Sequence, residues 1–401
     1  MAISITKALN IIYQRVSKVS NETIPIEDSI GRVVSCNYNA IFDLPRFDNS
    51  AMDGYAIKLN DSGETINSKR VIYAGDDSNF VLQDGEAIRI MTGSAVPEGT
   101  EAIVPIEDVT VDGDMVSLPK SIKENAHIRY AGEDIKSGTN YIKKGDRVSA
   151  YTIALLASQG VTHISVTRTV RVAVFGTGDE LRPHYEKIKP HQLYNSNAPM
   201  FLARAKELGC EVTYIGGSSD TIDSLKLSIK EALSADLIIT SGGVSVGDKD
   251  FTKEAFGQLG METFFSGVDI KPGKPTTIGE IDNTVVVNLA GNPLASMVNY
   301  EMFVKPIILK LLGANECYHG LIKTKISQNY KIKAGRHSVV LGSFNGESFT
   351  PLESQSAGMV SPLAQADGMV LFSPDVSSLN MGDKVQMIPI KFSLNSSVRE
   401  I

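Results

Sequence analysis

Residues 236–250, DLIITSGGVSVGDKD, restrict the fold more than any other part of the chain. Residues 236–240 read as a short buried strand. Ser241, Gly242 and Gly243 then open a tight loop, and Asp248 and Asp250 stand where a following helix begins. A strand that runs through a glycine-rich loop into a helix N-terminus presents free backbone N–H groups to an anion. Acids in such a loop repel a phosphate unless a divalent cation stands between them. The stretch therefore reads as a metal-assisted nucleotide or phosphate site; the plainer alternative is a glycine-rich connector with solvated acids. It is not a P-loop, because Gly247 is followed by Asp248 and not by Lys-Ser/Thr.

The segments around it share one rhythm. Strands are expected at 170–175, 211–215 and 284–289, and helices at 198–208, 222–233, 251–259 and 293–312. Asn292 is the candidate N-cap of the last helix, Pro293 takes its first position and Gly313 ends it. Strands without polar alternation, alternating with helices, predict a parallel sheet covered on both faces, with ligands beyond the carboxyl ends of its strands. The flanks, from about 43 to 144 and from 317 to 401, show short β-like runs broken by turn residues such as Asn345-Gly346. Ile5, Ala8, Leu9, Ile12 and Val16 recur at helical spacing and predict an N-terminal helix packing beside residues 145–168, and a short helix is expected at 151–159.

A chain of 401 residues exceeds one ordinary core, so two to four domains are expected. The net charge of −7 argues against nucleic acid as the main partner. The N-terminal pattern is not that of a signal peptide and no apolar run approaches membrane-spanning length, so the expectation is a cytoplasmic chain without membrane association. Cys36, Cys210 and Cys317 stand far apart, which suits a reducing compartment and carries no zinc signature.

Other motifs gather polar groups. Phe175-Gly176-Thr177-Gly178-Asp179-Glu180 lacks the third glycine of a dinucleotide fingerprint, Leu181 standing there, and reads as a tight turn placing Glu180 at a strand end, or as an ordinary turn between strand and helix. Asp220 follows another expected strand and could equally cap the next helix. Lys271-Pro272-Gly273-Lys274-Pro275 is a stiff loop holding two ammonium groups, an anion clamp or a surface turn. Residues 44–56, LPRFDNSAMDGYA, form the densest polar run of the first β-rich part, with a loop packed around its own hydrogen bonds as the bland alternative. Arg129 and Asp134 could pair with each other.

FDNSAMDGYA, RIMTGSAVPEG, RYAGEDI, FGTGDEL, TSGGVSVGDKD, IKPGKP and NLAGNP occur in the order seen in molybdopterin molybdenumtransferases, and the chain resembles these MoeA-type enzymes, similar to the E domain of gephyrin, from about residue 5 to 390. The resemblance implies a multi-domain α/β plus β protein. Its central domain would be a doubly wound α/β/α domain like the molybdopterin adenylyltransferases, between a β-rich N-terminal domain and a C-terminal β-barrel-like domain. The expected divisions are 1–42 with 139–168, 43–138, 169–316 and 317–401. It implies a homodimer with the active site between subunits, and brings in molybdopterin adenylyltransferase and apo-molybdoenzymes as partners. The implied reaction inserts molybdenum from molybdate into adenylylated molybdopterin and releases AMP, with Mg2+. Matching family positions imply Asp53, Asp134, Glu180, Asp220 and Asp250 as catalytic, and Asp220, Asp248 and Asp250 as cation ligands. Substrate contacts are implied for Thr92, Arg129, Ser241, Gly242, Gly243, Lys271 and Lys274, with Arg336 and Ser356 from the last domain. There the chain departs from the family's GRxxFxR-like stretch, since residues 334–341, AGRHSVVL, keep only the first arginine.

Two other readings compete. The α/β domain could adenylylate molybdopterin instead of consuming the adenylate, but a stand-alone adenylyltransferase needs neither the flanking domains nor the Asp53 loop. A dimeric scaffold displaying a peptide-binding surface has no use for Asp53, Asp220, Asp250 and the lysine pair.

Overall fold

The computed structural model describes residues 2–76, 80–219, 221–243 and 251–391. The chain divides into two compact units, one of residues 1–36, 144–153 and 163–401 and one of residues 37–143 and 154–162.

The larger unit is built on a six-stranded sheet. Its strands lie in the order Glu211–Ser218, Arg171–Thr177, Leu237–Ser241, Thr284–Leu289, Thr277–Ile281, Glu262–Ser266. The first four are parallel and the last two antiparallel. Alternation along Arg171–Thr177 assigns the two faces. Val172 and Val174 join the core that contains Phe201, Ile239 and Val287, whereas Ala173 and Phe175 join Leu225, Ile229 and Phe256. Full burial of side chains such as Val174 and Phe175 stabilises the sheet by roughly 1.5–3 kcal/mol each. The antiparallel pair was not anticipated: Thr263, Ser266 and Glu280 interrupt its apolar pattern, and it occupies the edge, where one side of the ladder ends.

The helix starting at Pro293 is also not uniform. Pro293–Asn299 and Lys305–Leu311 are α-helical, and a π-helical turn, Tyr300–Val304, joins them. Every residue from Leu294 to Val304 is buried, so the periodicity of a one-sided helix is missing here. Asn292 does occupy the N-cap position, but its side chain makes no capping hydrogen bond.

Residues Ile322–Ile326, His337–Phe344, Ser348–Pro351, Gly368–Phe372 and Lys384–Pro389 close into a barrel. Phe349, Val370 and Met387 fill its interior. Leu341, Met369 and Ile388 project from the same strands into the core shared with the helices of the α/β sheet. The N-terminal helix, Ile5–Arg15, starts on Ser4, whose hydroxyl accepts from Lys7 N at 3.2 Å. It buries Ile5, Ala8 and Ile12 in that core, and Arg15 stacks over Phe264, 4.5 Å from the ring centroid. The expected neighbours at 145–168 are met by the strand after it, Asn21–Pro25, which pairs with His163–Thr167.

The smaller unit holds a second six-stranded sheet with a core of Tyr55, Ile57, Ala87, Ala102 and Val104 on one side. Ile72, Ile88 and Ile103 lie on the other.

Candidate active site

Register brings the loops of the large unit to one edge. Thr177 pairs with Ser218, Gly176 with Ser241, and Ser241 with Leu289, so the parallel strands end together. Beyond those ends lie Asp179-Glu180, the loop at Ser241-Gly242-Gly243 and the loop Ala290-Gly291-Asn292. This is the edge where open parallel sheets bind ligands. Glu180 is exposed. Its carboxylate folds back over Gly178, where an added Cβ would stand 2.7 Å from Oε2.

Ser241 is 4% exposed, and its hydroxyl works inside the protein. It donates to Ala290 O at 3.1 Å and accepts from Asn197 Nδ2 at 2.8 Å. Asn197 Nδ2 also donates to Gly291 O at 2.7 Å, so this pair ties two loops of the edge together. Gly242 and Gly243 are set by close approach. Their φ values are +104° and +66°, and an added Cβ would lie 2.4 Å from Thr177 O in one case and 2.0 Å from Thr252 Oγ1 in the other. The glycines thus let the loop pack closely on strand residue Thr177 and helix residue Thr252. Asp220, Asp248 and Asp250 lie outside the described residues. Among the described residues, no group of three or more His, Cys, Asp or Glu side chains is arranged to hold a metal.

A cavity of about 570 Å3 collects the basic residues. The short strand Ile270–Lys271 runs parallel to the start of His337–Phe344, with Lys271 opposite Ser338. That pairing sets the Lys271–Pro275 loop beside Arg336. Lys271, Lys274, Arg336 and Ser356, all singled out from sequence, line this one cavity together with Asn292. Lys331 and Lys333 also line it and were missed. They sit in a β-rich stretch where an isolated lysine carries no signal until the fold turns it toward the others. With five cationic side chains and no carboxylate among its lining residues, the cavity is suited to a multiply charged anion. Asn299, wholly buried, holds the loop from below by donating to Gly273 O at 2.7 Å and Thr276 Oγ1 at 2.5 Å. Gly273 is at φ +110°, and a Cβ there would stand 2.4 Å from Asn299 Nδ2.

In the smaller unit Asp53 and Thr92 meet. Asp53 Oδ1 accepts from both the backbone N and the Oγ1 of Thr92, each at 2.7 Å. The backbone bond above all, then the hydroxyl, holds the Asp53 carboxyl below its ordinary value of 3.8, with Arg89 helping. The rest of the motif follows the bland reading. Asp48 Oδ1 accepts from Ala131 N at 2.8 Å, Asn49 donates to Phe47 O at 3.2 Å, and Ser50 is fully buried with its hydroxyl turned to Met52 O. Asp53 stands as an exposed carboxylate beside Thr92. Arg129 and Asp134 form no ion pair with each other. Arg129 is paired by its backbone with Asn49, and Asp134 N donates to Leu44 O at 3.0 Å.

Three sequence families match in succession. They are described as "MoeA N-terminal region (domain I and II)" over residues 3–160, "Probable molybdopterin binding domain" over 173–310 and "MoeA C-terminal region (domain IV)" over 323–390. A molybdopterin molybdenumtransferase of Staphylococcus epidermidis is 33% identical over 399 residues, covering 96% of this chain and 95% of that protein. The chain belongs to the MoeA family of molybdopterin molybdenumtransferases. This places it among the enzymes of molybdenum cofactor biosynthesis. The Staphylococcus aureus relative of the same name is 32% identical over 400 residues, covering 96% of this chain and 95% of its own. The solved structure titled as the molybdopterin biosynthesis MoeA protein from Pyrococcus horikosii matches with a TM-score of 0.85 at 29% identity, over 98% of this chain and 100% of that one. The expected fold class, a central α/β domain with a β-rich region before it and a barrel after it, is the one found.

Proposed function

We propose that this MoeA-family enzyme transfers molybdenum from molybdate into adenylylated molybdopterin and releases AMP. The observation that carries the reading is the 570 Å3 cavity, where five cationic side chains converge without a carboxylate. Molybdate is a tetrahedral dianion. Lys271, Lys274 and Arg336 would hold its oxygens through charge-assisted hydrogen bonds, with the Ser356 hydroxyl as a further donor. Gly242, Gly243 and Ser241 shape the sheet edge on which the nucleotide end would lie, and Glu180 stands at the same edge. Asp220, Asp248 and Asp250 are the proposed ligands of a divalent cation, Mg2+, which when bound offsets phosphate charge. Asp53 and Asp134 are the remaining catalytic groups, with Thr92 and Arg129 as substrate contacts in the same unit. We also propose the homodimer implied by the resemblance, in which Asp53 of one subunit serves the α/β domain of the other.

The test is AMP release from adenylylated molybdopterin by the full chain with Mg2+, with and without molybdate. Release that depends on molybdate, and that falls at least tenfold in Lys271→Ala, is expected. Equal release with and without molybdate would sink the reading.

A further inference from the structure

A second cavity, of about 280 Å3, opens between the helix Asn197–Glu207 and the helix starting at Pro293. Met200, Met297 and Leu363 give it apolar walls. Its polar residues are Ser196, Asn197, Arg204 and Glu301, and two of them, Asn197 and Glu301, carry an unanswered acceptor. Glu301 is 0% exposed. Its Oε1 accepts from Arg204 Nε at 2.9 Å and forms an ion pair with Nη2 at 2.7 Å, while Oε2 has no hydrogen-bond partner among the described residues. Lys305 Nζ stands 4.0 Å from Oε2. Asn197 is 6% exposed, and with its amide nitrogen spent on Ser241 and Gly291 its Oδ1 is likewise unpartnered.

Buried acceptors without donors are costly and uncommon, so each calls for an explanation. Arg204 is already engaged by Glu301 and Glu207, so the cavity offers no free cation to a phosphate or carboxylate. A complementary ligand therefore brings N–H donors. Two methionine thioethers favour an aromatic ring between the walls. The volume is roughly nine times the ~30 Å3 share of a liquid water, room for a bicyclic ring but not for a whole nucleotide. Glu301 also sits in the π-helical turn, a feature that recurs at functional sites.

We infer that this cavity seats a planar nitrogen heterocycle with adjacent N–H donors, the chemical class of the pterin end of molybdopterin. The inference rests on the proposed function for its choice of ligand, but it uses none of the residues assigned to the anion. Glu301 Oε2 and Asn197 Oδ1 accept from the amino and ring N–H groups of the heterocycle's edge, and the methionines contact its faces.

Neopterin and adenine, titrated separately into the full chain by calorimetry, test this. Neopterin is expected to bind saturably and more tightly than adenine, which lacks the adjacent ring N–H. Glu301→Gln keeps an oxygen for Arg204 but puts an amide N–H where Oε2 stood. Ala364→Trp narrows the exposed mouth of the cavity without touching its polar groups. Each should weaken neopterin binding at least tenfold, while Lys271→Ala lowers molybdate binding and leaves neopterin binding unchanged. If Glu301→Gln does not fold, Ala364→Trp decides alone. Failure of neopterin to bind, tighter binding of adenine, or a loss seen only in the lysine variant overturns the inference. A wild-type chain that binds molybdate but not neopterin leaves the proposed function standing.

Discussion

Asp53 and Thr92 show how a surface carboxylate is kept ready for chemistry. Two donors from one residue stabilise the ionised form, so the Asp53 pKa is depressed. A group depressed in the fold contributes its stability above the unfolded value and loses it only as pH falls through the folded value, which here lies below 3.8. Following the Asp53 carboxyl carbon by NMR should therefore show its titration below that value in the wild type and closer to it in Thr92→Val. Asp53→Asn keeps an oxygen for Thr92 and removes the charge; turnover is expected to fall by about 10²-fold or more in a chain that still folds, as a thermal melt checks. Gly242 answers to a different constraint. Gly242→Ala combines a φ of +104° with a 2.4 Å approach to Thr177 O, and should lower stability by about 1–3 kcal/mol, read by denaturant unfolding. A neutral effect would mean that the loop can shift without its packing on Thr177.

At the scale of elements, the anion cavity depends on a strand pairing and on a buried amide. Lys271 opposite Ser338 sets the register between the lysine loop and the first barrel strand, and Asn299 fixes the loop's curvature from the buried helix. Asn299→Leu would leave Gly273 O without this donor and cost about 1–3 kcal/mol. Molybdate affinity should fall with it although every cation remains, and calorimetry with molybdate checks this. Helices of the α/β part were legible because each carries a buried face with a regular period, its central strands because they are short unbroken apolar runs, and the start of the last long helix was marked by Pro293. Its π-helical turn was not legible, since a helix buried on all sides has no polar face to mark a change of pitch. The roles of Lys331 and Lys333 were equally hidden, because one ends the short strand Tyr330–Lys331 and the other lies in the loop after it, whose direction only packing decides.

For the whole molecule, Arg168 and Asp236 pin the N-terminal ends of the sheet's strands. Their two hydrogen bonds measure 2.7 and 2.6 Å, and Asp236 also accepts from Arg171 N at 2.9 Å. Burial pushes the Asp236 carboxyl up, but Arg168 and Arg171 together leave it below 3.8, so this contribution persists to acid pH and is lost as pH falls through the folded value. Asp236→Asn should cost about 1.5–3 kcal/mol at neutral pH, the scale of hydrogen bonds to a charged group, and the difference from wild type should shrink in acid unfolding. The proposed dimer has its own test. Asp53→Asn and Lys274→Ala chains, each inactive alone, should on mixing regain about a quarter of wild-type turnover, since half the dimers would then carry one intact site. No recovery after subunit exchange would place both residues in sites of a single chain. The alternation of apolar strands and helices, the order of the motifs and the family they point to were determined by the sequence alone, because periodicity and spacing are properties of the chain itself. Which cations share a cavity, which glycines are held by packing, and which buried acceptors lack a donor were decided only by the tertiary structure, because each depends on residues far apart in sequence being brought within a few ångströms.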